Sequence, residues 1–413
     1  MMTNRVIFVP HYEESFKTLL PLALYMRDNK IGSPHFVIYF RCNEEIRQIL
    51  QRQGIDFSIY KAGFLTKIPI LGRGFKILAD LTYSVRLAER LFPIQAMVCT
   101  VESNKFEYAL ISVLNRRNIN TIVLQWAQTT PNEYELRLER EGKKGLTTAI
   151  AEYSKGHLKR LVERLFGVKY SRLYGDGDAK YFAVMGKHYK EMFYKQGVSE
   201  DKLIVTGHPE HDYLSELSSN VRKPGFKQAA LESFGLDSVK PLWIVAREAI
   251  VHFKLIPEEK DKENICSVLE ILSQYQQDVQ IILKLHPRDS EEYYGFVKEK
   301  FPHVILIHEC DLYKLIAVCD LYISQISSTV MWAIALDKPV ISYDFNNQPY
   351  WHYFRDGKGI IRADSPQALA EKIEIIQEKG LNPENYQMRQ IVKQKYIILD
   401  GRACKRIAGL ITK

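Results

Sequence analysis

The run from Gln280 to Asp344 constrains this chain more than any other stretch. Short, unbroken apolar segments (IILKL, then VILI, then LYIS) alternate there with amphipathic stretches of helical period. Uninterrupted apolar runs of this length are what strands buried on both faces require, and the intervening segments are long enough for crossover helices. The pattern predicts an α/β layer with parallel strands. Polar residues collect where the apolar runs stop: His286-Pro287-Arg288 after the first, Glu309 after the second, Ser327-Ser328-Thr329 after the third. Open parallel sheets bind ligands outside the carboxyl ends of their strands. Three polar clusters at three successive strand ends therefore predict one shared site.

The serine cluster has a specific use. It lies where a strand, Leu321 to Ser324, turns into a helix over about Thr329 to Leu336. Unpaired N–H groups and the positive end of the dipole at such a turn suit a phosphate, and serine hydroxyls add donors without bulk. The same residues would serve equally as a plain N-cap. His286 alone fits a structural histidine as well as a ligand. The two clusters together, at this spacing, are more specific than either alone.

At 413 residues, 46% hydrophobic and 26% charged, the chain has the length for two globular domains with separate cores. Its net charge of +8 is scattered rather than blocked. This fits an anionic ligand, an anionic polymer or a membrane surface, and no recognisable nucleic-acid module accompanies it, so no nucleic-acid partner is expected. Cys42, Cys99, Cys266, Cys310, Cys319 and Cys404 form no CxxC pair, as in a reduced cytoplasmic protein without structural zinc. The start, MMTNRVIFVPHY, lacks the apolar core of a signal peptide, and no apolar run reaches membrane-spanning length. A cytoplasmic protein is expected, with peripheral association at the inner membrane face left open.

The first half begins as another α/β unit. Val6–Val9, Phe36–Phe40 and Phe57–Tyr60 read as strands, separated by helices over Glu13–Arg27 and Glu44–Gln53. The first turn is PHYEES, which is no dinucleotide fingerprint. Basic residues interleave with apolar ones over Lys61–Phe92 and again over Lys143–Tyr170, either as contacts for an anionic acceptor or lipid surface or as ordinary solvated faces. Strands at Gln95–Val101 and Asn120–Leu124 end in Glu102-Ser103-Asn104 and in Gln125 to Pro131. Tyr174-Gly175-Asp176-Gly177-Asp178 reads as a turn, so its Asp-x-Asp is not taken for a metal motif. The strand Lys202–Thr206 ends in Gly207-His208-Pro209-Glu210-His211-Asp212, too crowded to argue for a metal site. The polar stretch Ser218–Lys240 holds the domain boundary, and Pro241–Ala246 opens the second domain, ending at Arg247-Glu248. Phe345–Phe354, with Tyr350, Trp351 and Tyr353, is an aromatic loop able to stack on a base or sugar. A last strand follows at Gly357–Ile361. A helix then runs over Ser365–Lys379, with Ser365-Pro366 as N-cap and first residue, and the tail from Asn385 is helical.

Two phrases carry a family resemblance. KLHPR, followed by CDLYISQISSTVMWAIALDKPVISYD, resembles the C-terminal domain of glycosyltransferase-B enzymes, and in particular bacterial surface and capsule polysaccharide transferases: polysialyltransferases, Kdo transferases and CDP-glycerol glycerophosphotransferases. YGDGDAKYFAVMGKHYKEMFYKQGVSEDKLIVTGHPEHDYL resembles the end of the N-terminal domain in the same superfamily, including the UDP-N-acetylglucosamine 2-epimerases. The resemblance implies two Rossmann-like domains facing across a cleft. Residues 1–220 would bind the acceptor and 221–384 the nucleotide donor, and residues 385–413 would form a helix packing back on the first domain. It implies that His286-Pro287 and Ser327-Ser328 hold the donor phosphates, with Arg288, Glu309 and Thr329 around them. Arg247, at a strand end that approaches those phosphates in the family, would bridge their oxygens, and Glu248 would neutralise it or orient sugar hydroxyls.

The implied function is a nucleotide-sugar-dependent glycosyltransferase that builds a surface or capsular polysaccharide on a glycan or lipid-linked glycan acceptor. Its implied donor is linked to CMP or CDP, with UDP and GDP left open, and no metal cofactor is obligatory. Where the CDP-glycerol enzymes have a His-Gly-Thr turn with a catalytic base, this chain has Gln128-Thr129-Thr130, and glutamine takes no proton at neutral pH. The base then falls to Glu102 first, with His11 and Glu14 as the others. A CDP-glycerol-type phosphotransferase, a sugar-nucleotide 2-epimerase (despite the absent Ser-Gly-Gly turn) and a non-catalytic glycan-binding relative stand as alternatives.

Overall fold

A computed structural model of the chain describes residues 4–39, 44–60, 72–102, 105–127, 174–248, 250–252, 255–325, 327–346 and 359–413. The Gln128-Thr129-Thr130 turn, the basic stretch of 143–170, much of the one at 61–92, and Tyr350, Trp351 and Tyr353 lie outside the described residues. The chain divides into two compact units, residues 1–212 with 402–413, and residues 213–401.

The first unit is built on a seven-stranded sheet: β1 (Arg5–Val9), β2 (Ser33–Ile38), β3 (Asp56–Ile59), β4 (Ile94–Cys99), β5 (Asn120–Leu124), β6 (Tyr181–Val184) and β7 (Leu203–Val205), in the spatial order β3-β2-β1-β4-β5-β6-β7. Every described pairing is parallel. β5 is buried at all five positions, which is why its sequence, NTIVL, shows no inside–outside alternation. Helices cover the sheet because the chain must cross over between parallel neighbours. The Glu13–Asp28 helix buries Phe16, Leu19, Leu22, Ala23 and Met26, the i, i+3, i+4 face expected of a surface helix.

The second unit repeats the plan with β8 (Leu242–Ala246), β9 (Gln280–Lys284), β10 (Val304–Ile307), β11 (Leu321–Ser324), β12 (Val340–Tyr343) and β13 (Ile361–Ala363), in the order β10-β9-β8-β11-β12-β13. These strands are parallel as well. A core of Trp243, Val245, Leu269, Ile281, Leu283, Ile323 and Tyr343 fills one side of the sheet. Each unit is thus Rossmann-like, with strand order reversing direction once: between β1 and β4 in the first unit, and between β8 and β11 in the second.

Three sequence expectations need correction. The division falls at Asp212/Tyr213, inside the Pro209–Asn220 helix, rather than at 220/221. A continuous helix can cross between units because its backbone is satisfied internally, so polar composition downstream does not locate the boundary. The tail is two helices, not one. Pro383–Tyr396 stays with the second unit, and only residues 402–413 belong to the first. There Cys404, Ile407, Ala408, Leu410 and Ile411 join the core around Val6, Phe8 and Ile122. The last strand is Ile361–Ala363 rather than Gly357–Ile361, paired to β12 through Ile341, Ser342 and Tyr343.

Candidate functional site

The carboxyl ends of the strands beside each reversal in strand order are where an open α/β sheet leaves a crevice for a ligand. Each unit places polar residues there. In the first unit His11 follows β1 and Thr100 follows β4, and His11 Nδ1 lies 2.9 Å from Thr100 Oγ1. Ser15 fixes the turn that carries His11: its Oγ accepts from the His11 and Tyr12 N–H groups at 2.9 and 3.1 Å and donates to the Tyr12 carbonyl at 2.8 Å. Trp126, after β5, closes edge-on against His11 and Tyr12, with centroids 5.2 and 5.0 Å apart. Burial disfavours the imidazolium and lowers the His11 pKa to about 4. The ring is therefore neutral at pH 7, in the form that can accept a proton, although as a weak base. Glu14 is exposed in the first turn of the Glu13–Asp28 helix.

Glu102 is placed differently. It is 1% exposed, and its carboxylate accepts from Gly177 N at 2.7 Å and Ala179 N at 3.3 Å while pairing with Lys202 Nζ at 3.1 Å. A Cβ on Gly177 would lie 2.5 Å from Glu102 Oε2, so glycine is what lets the turn close on the carboxylate. Tyr174 adds a second tie from the same turn, donating to the Thr100 and Leu124 carbonyls at 2.8 and 2.9 Å. A general base must reach a substrate proton. Glu102 instead anchors the 174–179 turn under β4 and β5, which corrects its assignment as the first-choice base. The Asp176-Gly177-Asp178 segment is that turn. Further along, His208 and His211 are buried with ring centroids 5.4 Å apart, and burial lowers the His208 pKa to about 3 and takes His211 well below its ordinary value. Among the described residues no cluster of three or more His, Cys, Asp or Glu side chains is arranged to hold a metal.

In the second unit the reversal lies between β8, which is followed by Arg247-Glu248, and β11, which is followed by Gln325. Arg247 is turned into the fold. It is 4% exposed, and its Nη2 donates to both oxygens of Asp261 at 2.6 and 2.7 Å. Nε and Nη1 donate to the Tyr294 and Tyr343 hydroxyls, both at 3.3 Å. Each guanidinium nitrogen has a partner inside the fold, whereas the sequence expectation is that Arg247 bridges phosphate oxygens. Glu248 is the outward partner of the pair: its Oε1 accepts from Ser324 Oγ at 2.5 Å and from Gln325 N at 3.0 Å.

The serine cluster is wired through hydroxyls. Thr329 Oγ1 donates to Ser327 Oγ at 2.7 Å, and the Tyr322 hydroxyl is hydrogen-bonded to Thr329 Oγ1. Thr329 has one proton and gives it to Ser327, so Tyr322 donates to Thr329. Ser327 Oγ also accepts from Thr329 N at 3.3 Å, so among the described residues it is the end of the relay. Ser328 is exposed. The helix after the turn is short, Val330–Ala335, not Thr329–Leu336. Its first N–H groups are already turned onto the Ser327, Ser328 and Thr329 carbonyls. The donors offered at this turn are therefore hydroxyls more than a helix terminus.

At the end of β9 the His286 N–H donates to Asp289 Oδ2 at 3.1 Å, and His286 Nδ1 accepts from Arg288 N at 3.1 Å. A backbone N–H can only donate, so the neutral ring carries its proton on Nε2. Pro287 and Arg288 are exposed beside it, and Glu309 is exposed after β10. Lys284 ties these two ends together, with Nζ on the Leu285 and His308 carbonyls at 2.6 and 2.8 Å. Sequence reasoning missed Tyr322, Ser324, Gln325 and Asp261. The first three stand within the LYISQISST phrase itself and could have been found by asking which polar residues end a buried strand. Asp261 carries no local signal among the acidic residues that open its helix.

Two parallel α/β units of this order define the glycosyltransferase-B class of fold, and known structures share it. The UDP-GlcNAc 2-epimerase from Neisseria meningitidis bound to UDP-GlcNAc is 15% identical, with a TM-score of 0.63 over 98% of this chain and 99% of that one. The UDP-GlcNAc 2-epimerase from Methanocaldococcus jannaschii is 16% identical, with a TM-score of 0.61 over 99% of each chain. A glycosyltransferase from Rickettsia africae is 13% identical, with a TM-score of 0.58 over the full length of both. Among curated proteins none matches the chain. Residues 167–413 match the CDP-glycerol:poly(glycerophosphate) glycerophosphotransferase family. The match takes in more than half of the chain, including the whole second unit, and the chain belongs to that family. It is a transferase of the nucleotide-sugar enzyme type. Among the described residues no helix is long and apolar enough to cross a membrane.

Proposed function

We propose that the second unit holds the phosphate of a nucleotide-linked donor on Ser327, Ser328, Thr329 and His286, and that the enzyme transfers the linked group to a surface or capsular glycan acceptor. The hydroxyl relay carries this reading. Tyr322 donates to Thr329 and Thr329 to Ser327, which makes the half-buried Ser327 hydroxyl the end of the relay. A chain of hydroxyls aligned in one direction polarises its last member, and a polarised O–H suits an anionic oxygen. His286, at the end of the neighbouring strand β9, is the second group this reading assigns to the phosphate. Both would stabilise charge building up on the departing nucleotide phosphate. His11, neutral and next to the first unit's reversal, is the base this reading favours for the acceptor hydroxyl, with Glu14 second. The motif pair resembles that of cytidine-nucleotide enzymes, which makes CMP or CDP the favoured carriers over UDP and GDP. Family membership also gives weight to glycerophosphotransfer, in which a phosphodiester rather than a glycosidic bond is made. Localisation at the inner membrane face and metal-independent transfer belong to the same proposal.

Calorimetric titration of CMP, CDP, UDP and GDP tests it. One nucleotide should bind tightly to the parent and at least about tenfold more weakly to Ser328→Ala and His286→Ala, the loss expected for a hydrogen bond to a charged group. Tyr322→Phe should weaken it less, about threefold, because it removes only the start of the relay. Equal binding by parent and variants would remove the donor site from this turn. Incubation with CDP-glycerol and with nucleotide sugars then separates the two chemistries by product.

A further inference from the structure

Among the described residues, two acceptor atoms at the β8–β11 reversal have no donor. Glu248 Oε2 and Gln325 Oε1 are both buried and lack a hydrogen-bond partner. They belong to neighbouring residues, because the Gln325 backbone N–H donates to the other Glu248 oxygen at 3.0 Å. The fold holds the Glu248 carboxylate and the Gln325 backbone in place: Ser324 Oγ donates to Glu248 at 2.5 Å, and Ser342 Oγ donates to the Gln325 main-chain carbonyl at 2.5 Å. The adjacent guanidinium, Arg247, is engaged by Asp261. Leaving buried acceptors unpaired costs free energy.

Resting on the donor reading above, we infer that Glu248 and Gln325 form a hydroxyl-recognising subsite beside the Ser327 turn, taking hydroxyl groups of the carbon skeleton joined to the donor's phosphate. Ser327 and His286 present donors, which suit phosphate oxygens. At the neighbouring ends of β8 and β11, Glu248 and Gln325 present acceptors, which repel phosphate and suit O–H groups. A phosphate ester of a polyol or sugar carries both kinds of group a bond or two apart. Burial raises the Glu248 pKa to about 6, so above that pH the carboxylate is ionised and accepts strongly. The hydroxyls belong either to the ribose of the nucleotide or to the transferred sugar or polyol.

Calorimetry on the full chain separates these sources. The probes are CDP, 2′-deoxy-CDP, CDP-glycerol and CDP esterified with propanol, with UDP and UDP-N-acetylglucosamine as a second series. Glu248→Gln is isosteric, keeps an acceptor for Ser324, and turns the second atom into a donor. It should bind the hydroxyl-bearing ligand about tenfold more weakly and its hydroxyl-free counterpart as the parent does. Gln325→Met should lose about threefold on the same ligand. A loss on CDP but not 2′-deoxy-CDP assigns the subsite to ribose, and a loss on CDP-glycerol but not the propanol ester assigns it to the transferred group. The inference is overturned if the variant weakens hydroxyl-bearing and hydroxyl-free ligands equally, or binds all of them as the parent does. It is overturned as well if parent binding collapses in EDTA and returns with magnesium, which would make the carboxylate a cation ligand. If nucleotides bind and Ser328→Ala loses them while Glu248→Gln loses nothing, only the subsite fails. If the parent binds no probe, the donor reading fails with it.

Discussion

Arg247 carries a permanent charge with 4% of its surface exposed, so its counterion has to lie inside the fold. Asp261 supplies it in the bidentate geometry that a guanidinium prefers. Removing one member of such a pair strands the other charge in a low-dielectric interior. Arg247→Met and Asp261→Ala should each lower the unfolding free energy by about 3–5 kcal/mol, read by urea denaturation. Glu248, one residue on, behaves in the opposite way. Its folded pKa of about 6 stands above the ordinary 4.5, so the folded state binds the proton more tightly than the unfolded chain. That contribution is complete below about pH 4.5 and is lost as pH rises through about 6, a change of about 2 kcal/mol. Glu248→Gln should therefore be more stable than the parent at pH 7–8 by up to about 2 kcal/mol, with the gap closing below pH 4.5. A gap that does not vary with pH would contradict the assignment. At this scale the sequence identified the Arg-Glu strand end but could not say which of the two faces inward, because that depends on Asp261, fourteen positions away in sequence.

Elements decide how the termini are used. The Ala403–Ile411 helix begins at Arg402, which offers no side-chain cap. Asp212 supplies one from a distant part of the chain, its two oxygens accepting from Ala403 N and Cys404 N, both at 2.8 Å. The carboxylate satisfies orphan N–H groups and meets the positive end of the helix. Asp212→Ala should cost about 1–2 kcal/mol, measured by thermal unfolding. Deleting residues 402–413 should be far worse. It removes Ile407, Leu410 and Ile411 from the core of the first unit, each contributing about 1.5–3 kcal/mol, a sum that rivals a whole domain's margin of about 5–15 kcal/mol. The truncated chain should show protease-sensitive residues 1–212, while residues 213–401 stay resistant. The helical period of the tail is legible in the sequence. Its break at residues 397–402 and its partner are not, since both depend on where β1 and β5 lie in space.

Across the whole molecule the two units differ in their response to acid. The first holds half-buried His11 and buried His35 and His208 as neutral rings, with pKa values lowered by burial to about 4, 4 and 3. A base whose folded pKa is depressed adds stability above its unfolded value of about 6.5, and that stability is lost as pH falls toward the folded pKa. His208 alone should cost about 2 kcal/mol by pH 5. In the second unit Glu248 shifts stability the other way over the same range. Hydrogen exchange at pH 7 and pH 5 should therefore show loss of protection concentrated in residues 1–212, and uniform loss across both units would refute this. Half-buried His11 follows the same direction with a smaller effect, because solvent screens it.

The sequence by itself determined the layers. Short runs with apolar centres, such as NTIVL and QIILK, read as buried parallel strands because amphipathic stretches long enough for crossovers lie between them. It also placed His286 and Ser327-Ser328-Thr329 at strand ends, since the polarity of a sequence changes where burial stops. The tertiary structure alone decided which polar residues at those ends are turned outward. Glu102 and Arg247 looked like ligand-facing groups and are held inside by Gly177, Lys202 and Asp261, while Tyr322 and Gln325 looked like strand filler and shape the candidate site. The physical reason is that a side chain's role depends on whether its charge or hydrogen bond is satisfied within the fold, and the partners that satisfy it come from elements far apart in sequence.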